Sequence, residues 1–176
     1  MAFTRIHHVG MIAPDLEVAQ KAFCEGFGLA VDERRSPLPG GRPGSFDNVT
    51  TIEMPIGEMY LEISRPNDDT GEAAQFLAQR SAGGMHHLCL ASDDLANDVA
   101  RLQQNGLAIR PDMAANWDGR SPVFMNPENS FGLLLEVAAS EEYYPHPFFR
   151  GDGTFTGMAH VGIAARSYEE QHHLWE

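Results

Sequence analysis

The strongest constraint on this fold is an internal repeat. Residues 6–31, IHHVGMIAPDLEVAQKAFCEGFGLAV, are echoed by residues 85–109, MHHLCLASDDLANDVARLQQNGLAI. Each copy opens on an HH pair, passes through an apolar stretch to Asp-Leu (Asp15-Leu16, Asp94-Leu95), and continues with helical spacing to a glycine, Gly28 or Gly106. Asp15 and Asp94 read as helix N-caps, because a side-chain oxygen there accepts an orphan N–H. The glycines read as C′ residues that tolerate a left-handed turn. Strand-like runs follow each helix: 49–55 and 58–64 in the first copy, 121–127 and 131–138 in the second. Two copies are too few for a solenoid but suit a duplicated domain.

The expected fold class is therefore α+β, with paired βαβββ modules. Residues 1–65 form the first module, 66–84 a linker with a short helix at 71–80, and 85–138 the second module. A further linker, 139–157, includes EEYYPHPFF at 141–149. Residues 158–176, MAHVGIAARSYEEQHHLWE, read as the start of a third, incomplete module, with His160 where His8 and His87 stand. The Pro- and Gly-rich stretch 35–48 reads as a long loop.

The repeat also distributes the chemistry. Glu62 lies in the apolar strand MYLEIS and Glu136 in LLLEVA. Strand side chains alternate, so Leu61 and Ile63 point away from Glu62, and Leu135 and Val137 away from Glu136. One such glutamate alone reads as an outward-facing carboxylate, and one histidine near a strand start as a hydrogen-bonded structural residue. The combination reads differently. Each copy offers one His on its first strand and one Glu on its last, and a pseudo-twofold pairing would gather His8, Glu62, His87 and Glu136. Imidazole with carboxylate suits one divalent ion: Zn, Ni, Co, Mn or Fe. His7 and His86 face the other way and read as structural.

Charge and composition narrow the partners. The net charge of −13 disfavours nucleic acid, which needs a basic face. No apolar run is long enough for a membrane span, and the N-terminus lacks a secretory pattern. The two cysteines, Cys24 and Cys89, read as buried free thiols, which suits a reducing, cytoplasmic compartment.

HHVGMIAPDLE, GMHHLCLASDDL, LEIS and GLLLEVA together resemble the vicinal oxygen chelate superfamily of glyoxalases, bleomycin resistance proteins and extradiol dioxygenases. AAQFLAQRSAGGMHHLCL (73–90) and GRSPVFMNPENSFGLLLEV (119–137) are most similar to its methylmalonyl-CoA epimerase-like members. The resemblance covers residues 4–138. It implies an open eight-stranded barrel around a metal on His8, Glu62, His87 and Glu136, and a homodimer acting on a small molecule. The implied reaction is proton transfer at a carbon next to a carbonyl, by an epimerase, isomerase or glyoxalase-type lyase on an acyl thioester or 2-keto substrate. Glu136 or Glu62 would move the proton, with the ion as Lewis acid. The epimerases carry a basic glutamate in the loop after PLP. Here residues 36–44 read SPLPGGRPG, and Asp47 is the nearest carboxylate that could substitute. The alternatives are an Fe(II) extradiol-type dioxygenase or a non-catalytic small-molecule binding protein. Arg34, Arg35, Arg42 and Arg120 are candidates for a substrate anion, against ordinary surface solvation. Met11, Phe46, Trp117 and Phe124 are candidate pocket walls, with core packing the commoner role for Met11 and Phe124.

Overall fold

The computed structural model describes residues 3–140, 155, 157–164, 167–169 and 172; the stretch 141–149 lies outside them. The first repeat shows the expected order of elements and the second departs from it in one strand. In the first, β1 (Phe3–Ile12) leads to α1 (Leu16–Phe27), then β2 (Arg42–Pro43), β3 (Val49–Ile56) and β4 (Met59–Pro66). After α2 (Gly71–Gln79), the second has β5 (Gly84–Ser92), α3 (Leu95–Gln104), a short α4 (Pro111–Ala114), β6 (Val123–Phe124) and β7 (Leu135–Ala139). The remaining strand of the second module is reduced to one bridge, Ile109 to Met125, so seven full strands stand among the described residues where eight were expected. Pro122 and Pro127 flank β6, and a proline has no N–H to extend a ladder. Phe131 and Gly132, at φ 54° and 86°, turn the chain and delay β7.

The chain divides into two compact units. Among the described residues one comprises His8–His86, and the other comprises residues 3–7 and 87–140. Two of the boundaries, His7/His8 in β1 and His86/His87 in β5, fall inside HH pairs. In the first-module unit the strand order is β2-β3-β4-β1, with β3 antiparallel and β1 parallel to β4. A two-residue turn joins β3 to β4, and its first residue, Gly57, takes φ 61°. Ile12, Val49 and Ala73 form a buried cluster under Phe46, Phe76 and Leu77. In the second-module unit the order is β5-β7-β6, again parallel then antiparallel. Its core gathers Leu95, Val99, Leu107, Ile109, Val123, Met125, Leu135 and Val137, with Trp117 against its edge.

The caps follow the sequence in part. Asp15 accepts from the Val18 N–H at 3.0 Å, and Gly28 closes α1 at φ 66°. Asp94 occupies the N-cap of α3 without a capping bond. Its carboxylate accepts instead from the Asn97 amide, while Asp98 inside the helix takes a buried 2.6 Å bond from the Ser92 hydroxyl. Cys89 is buried, but Cys24 is only half-buried, because α1 buries no residue completely. Burial and the neighbouring Glu25 push the Cys24 thiol above its usual pKa. Residues 158–164 carry no strand, and His160 is exposed. No helix among the described residues is long and apolar enough to cross a membrane.

Candidate metal centre

Register explains why each His and Glu share a face. In the first-module unit Gly10 of β1 pairs with Glu62 of β4. His8 lies two residues before Gly10, so its side chain and that of Glu62 leave the sheet on the same side. In the second-module unit Cys89 of β5 pairs with Glu136 of β7, and His87 lies two residues before Cys89. The repeat is thus reproduced to the residue in the strand ladders. All four side chains are buried: His8 at 4%, Glu62 at 4%, His87 at 1% and Glu136 at 5% exposure. In the second pair, His87 Nε2 stands 3.4 Å from Glu136 Oε2. Buried carboxylates need a cation, a proton or donors, because an unpaired one costs several kcal/mol. Within each unit, a His and a Glu on one face are a donor set that a borderline divalent ion accepts.

The two half-sites differ in their surroundings. Across the antiparallel ladder from Glu136 stands Phe124, whose ring meets His87 edge-on with centroids 5.2 Å apart. Arg110 lies over that ring. At the corresponding place in the first module, across from Glu62, stands Glu53, fully buried on β3. Arg42 serves both acids: its Nε donates to Glu53 Oε1 at 2.9 Å and its Nη2 to Glu62 Oε2 at 2.8 Å. Arg35 Nε stands 2.5 Å from Glu53 Oε2 as an ion pair without hydrogen-bond alignment. The Arg35 guanidinium also covers Tyr60, and Tyr60 stacks on His8 with centroids 4.9 Å apart. Burial works against the charge of Arg42, but Glu53 and Glu62 outweigh it and hold its pKa above the usual arginine value. A raised pKa of this kind contributes stability that is fully present below the unfolded arginine value and is lost only as pH rises through the folded one.

Glu53 and Tyr60 were not among the residues the sequence singled out. Glu53 carried the same signal as Glu62, an acid between apolar neighbours (Ile52, Met54) in a strand, but it lacked a counterpart in the second repeat. Two of the arginine candidates, Arg35 and Arg42, turn inward to Glu53. Arg34 and Arg120 are exposed. His86 packs between elements, stacked on Phe46 and edge-on to Phe76, with Glu72 3.6 Å away. Met11 is half-buried and Trp117 donates to the Ser121 carbonyl.

Asp47, the expected substitute for the loop glutamate, accepts two backbone hydrogen bonds. Its Oδ2 accepts from the Ala73 N–H at 2.9 Å and its Oδ1 from the Asn48 N–H at 2.8 Å. The start of α2 leaves orphan N–H groups, and the Thr70 hydroxyl does not cap them. Asp47 fills that need from the preceding loop. Asp47→Ala is accordingly expected to lower stability by about 1 kcal/mol, as for other lost caps, read as a drop in Tm with little change in turnover per folded molecule.

A family model described as the glyoxalase/bleomycin resistance protein/dioxygenase superfamily matches residues 7–124. The chain belongs to that superfamily. Its relatives include the mitochondrial methylmalonyl-CoA epimerase of Bos taurus, 29% identical over 134 residues, which span 76% of this chain and 73% of that protein. The ethylmalonyl-CoA/methylmalonyl-CoA epimerase of Cereibacter sphaeroides is 27% identical over 137 residues, 76% of this chain and 96% of the relative. Among solved structures, the Streptomyces coelicolor methylmalonyl-CoA epimerase in complex with 2-nitronate-propionyl-CoA superimposes with a TM-score of 0.63 at 20% identity, covering 79% of this chain and 99% of its own. The α+β superfamily fold expected from the repeat is therefore shared with solved epimerases.

Proposed function

We propose that this chain is a metal-dependent epimerase that moves the proton on the carbon next to the thioester carbonyl of an acyl-CoA. His8 and Glu62 from one module, with His87 and Glu136 from the other, would hold one divalent ion. The observation that carries this reading is the exact recurrence of the His–Glu pair in both strand ladders, with all four side chains buried. The epimerase relatives supply the substrate class, and metal dependence is the habit of the superfamily.

A bound divalent ion supplies Lewis acidity toward the substrate carbonyl and so favours loss of the neighbouring proton. The chain's own groups do the rest. Glu62 is tied to Arg42 and suits a fixed ligand. Glu136 faces His87 and the Phe124 ring and suits the carboxylate that moves the proton. In that step the C–H bond at the α-carbon breaks, an O–H bond forms on Glu136, and the electron pair passes to the carbonyl oxygen. The apolar wall of Phe124 limits water beside the carboxylate. The ion itself is one of Zn, Ni, Co, Mn or Fe, and the assembly proposed is a homodimer in a reducing, cytoplasmic compartment.

The test is exchange in D₂O. Methylmalonyl-CoA incubated with the metal-loaded protein is expected to gain one deuterium at its α-carbon, and chelation to stop the gain. Absence of exchange, with oxygen uptake on catechols instead, would replace this reading by dioxygenase chemistry.

A further inference from the structure

We propose that Arg42 is a positioning residue for the metal: held by Glu53, it ties one oxygen of Glu62 and leaves the other to bind the ion. This rests on the metal set proposed above. Three observations carry it. First, the contacts are continuous. His8 stacks on Tyr60, Tyr60 lies under Arg35, Arg35 and Arg42 both reach Glu53, and Arg42 reaches Glu62. The two ligands of the first module are thus joined by one set of neighbours.

Second, the repeat serves as an internal control. At the ladder position opposite the ligand carboxylate, the second module places the ring of Phe124 and the first places Glu53. The module architecture therefore does not itself require an acid there. A fully buried carboxylate with two guanidiniums is a costly substitute for a phenyl ring, since desolvating such charges takes several kcal/mol per ion. The position next to a ligand gives that charge a use.

Third, the donors of Arg42 are committed in one direction. Nε and Nη2 go to Glu53, Nη2 also to Glu62, and Nη1 to the Pro43 carbonyl. The planar fork fixes the angle at which it meets Glu62, and a lysine ammonium would not. Arg42 lies in β2, inside the Pro- and Gly-rich stretch that distinguishes the first module, and β2 pairs with β3 through Arg42 and Thr51. That stretch thereby delivers a guanidinium to the half-site.

The probe is Co²⁺, titrated into the metal-free full chain and followed by visible absorption. Glu62→Ala serves as reference, with Arg42→Met and Arg42→Lys as tests and the Tm of each metal-free variant recorded. Loss of an outer partner of a metal ligand lowers affinity about 10- to 100-fold, so Arg42→Met is expected to bind Co²⁺ that much more weakly and to shift its absorption at saturation. Arg42→Lys, which lacks the fork, is expected to lose several-fold while keeping a Tm near that of the parent. Unchanged or tighter Co²⁺ binding in Arg42→Met overturns the proposal, because simple removal of a nearby positive charge would tighten it, and unchanged binding in Arg42→Lys, which keeps the charge, overturns the role of the fork. If Glu62→Ala binds as the parent does, the metal set itself is wrong and the role of Arg42 falls with it. If Glu62→Ala weakens binding but the Arg42 variants do not, only the role of Arg42 is wrong.

Discussion

Glu136→Ala is expected to cut α-hydrogen exchange by about 10²- to 10⁴-fold, the range for losing a positioned acid–base group. The size follows from its two duties. In the proposed site it would serve both as a ligand to the ion and as the carboxylate that receives the proton. Glu136→Gln separates them. An amide oxygen still coordinates but takes no proton, so metal content is expected to stay near that of the parent while exchange falls as far as in the alanine variant. His87 Nε2 stands 3.4 Å from Glu136 and Phe124 pairs with it across the ladder, whereas Glu62 accepts from the Arg42 guanidinium. Exchange that survives in Glu136→Gln would assign the proton to Glu62. The measurement is deuterium incorporation by mass spectrometry, with metal content determined on the same sample.

Glu53→Ala is expected to be the most destabilising change in the first-module unit. It leaves Arg35 and Arg42 facing a buried space with no shared counter-ion, and breaking a buried ion pair costs about 3–5 kcal/mol. The Arg side chains keep 35% and 27% exposure, so part of their charge can turn to water and the loss should fall toward the lower figure. Urea denaturation reads it as a lower midpoint. Glu53→Gln keeps the shape and one acceptor and is expected to lose less. A Glu53→Ala midpoint equal to that of the parent would show that the arginines are anchored elsewhere.

Much of this was legible in the chain because the repeat supplied its own confirmation. The HH pairs and the glutamates in MYLEIS and LLLEVA are local signals that recur, and the ladders place each His and Glu alike in the two modules. What repetition could not reveal was whatever one module has and the other lacks. Glu53 has Phe124 as its counterpart, and Arg42 comes from a stretch that reads as loop; both depend on cross-strand register that no single segment encodes. Asp47 shows another limit: its bond to the start of α2, 26 residues on, depends on a tertiary contact that its place near the missing loop glutamate does not reveal. The short β6 and the single Ile109–Met125 bridge reflect proline placement that outweighs the repeat.

On the proposed ligand set, the two modules would share one ion. Metal content per chain, measured by inductively coupled plasma mass spectrometry on the parent, His8→Ala and His87→Ala, tests it directly. One equivalent in the parent, lost in both variants, is the result expected when each module supplies half of a single site. Two equivalents in the parent, with each variant losing one and keeping the other, would mean two separate His–Glu sites and would contradict the account.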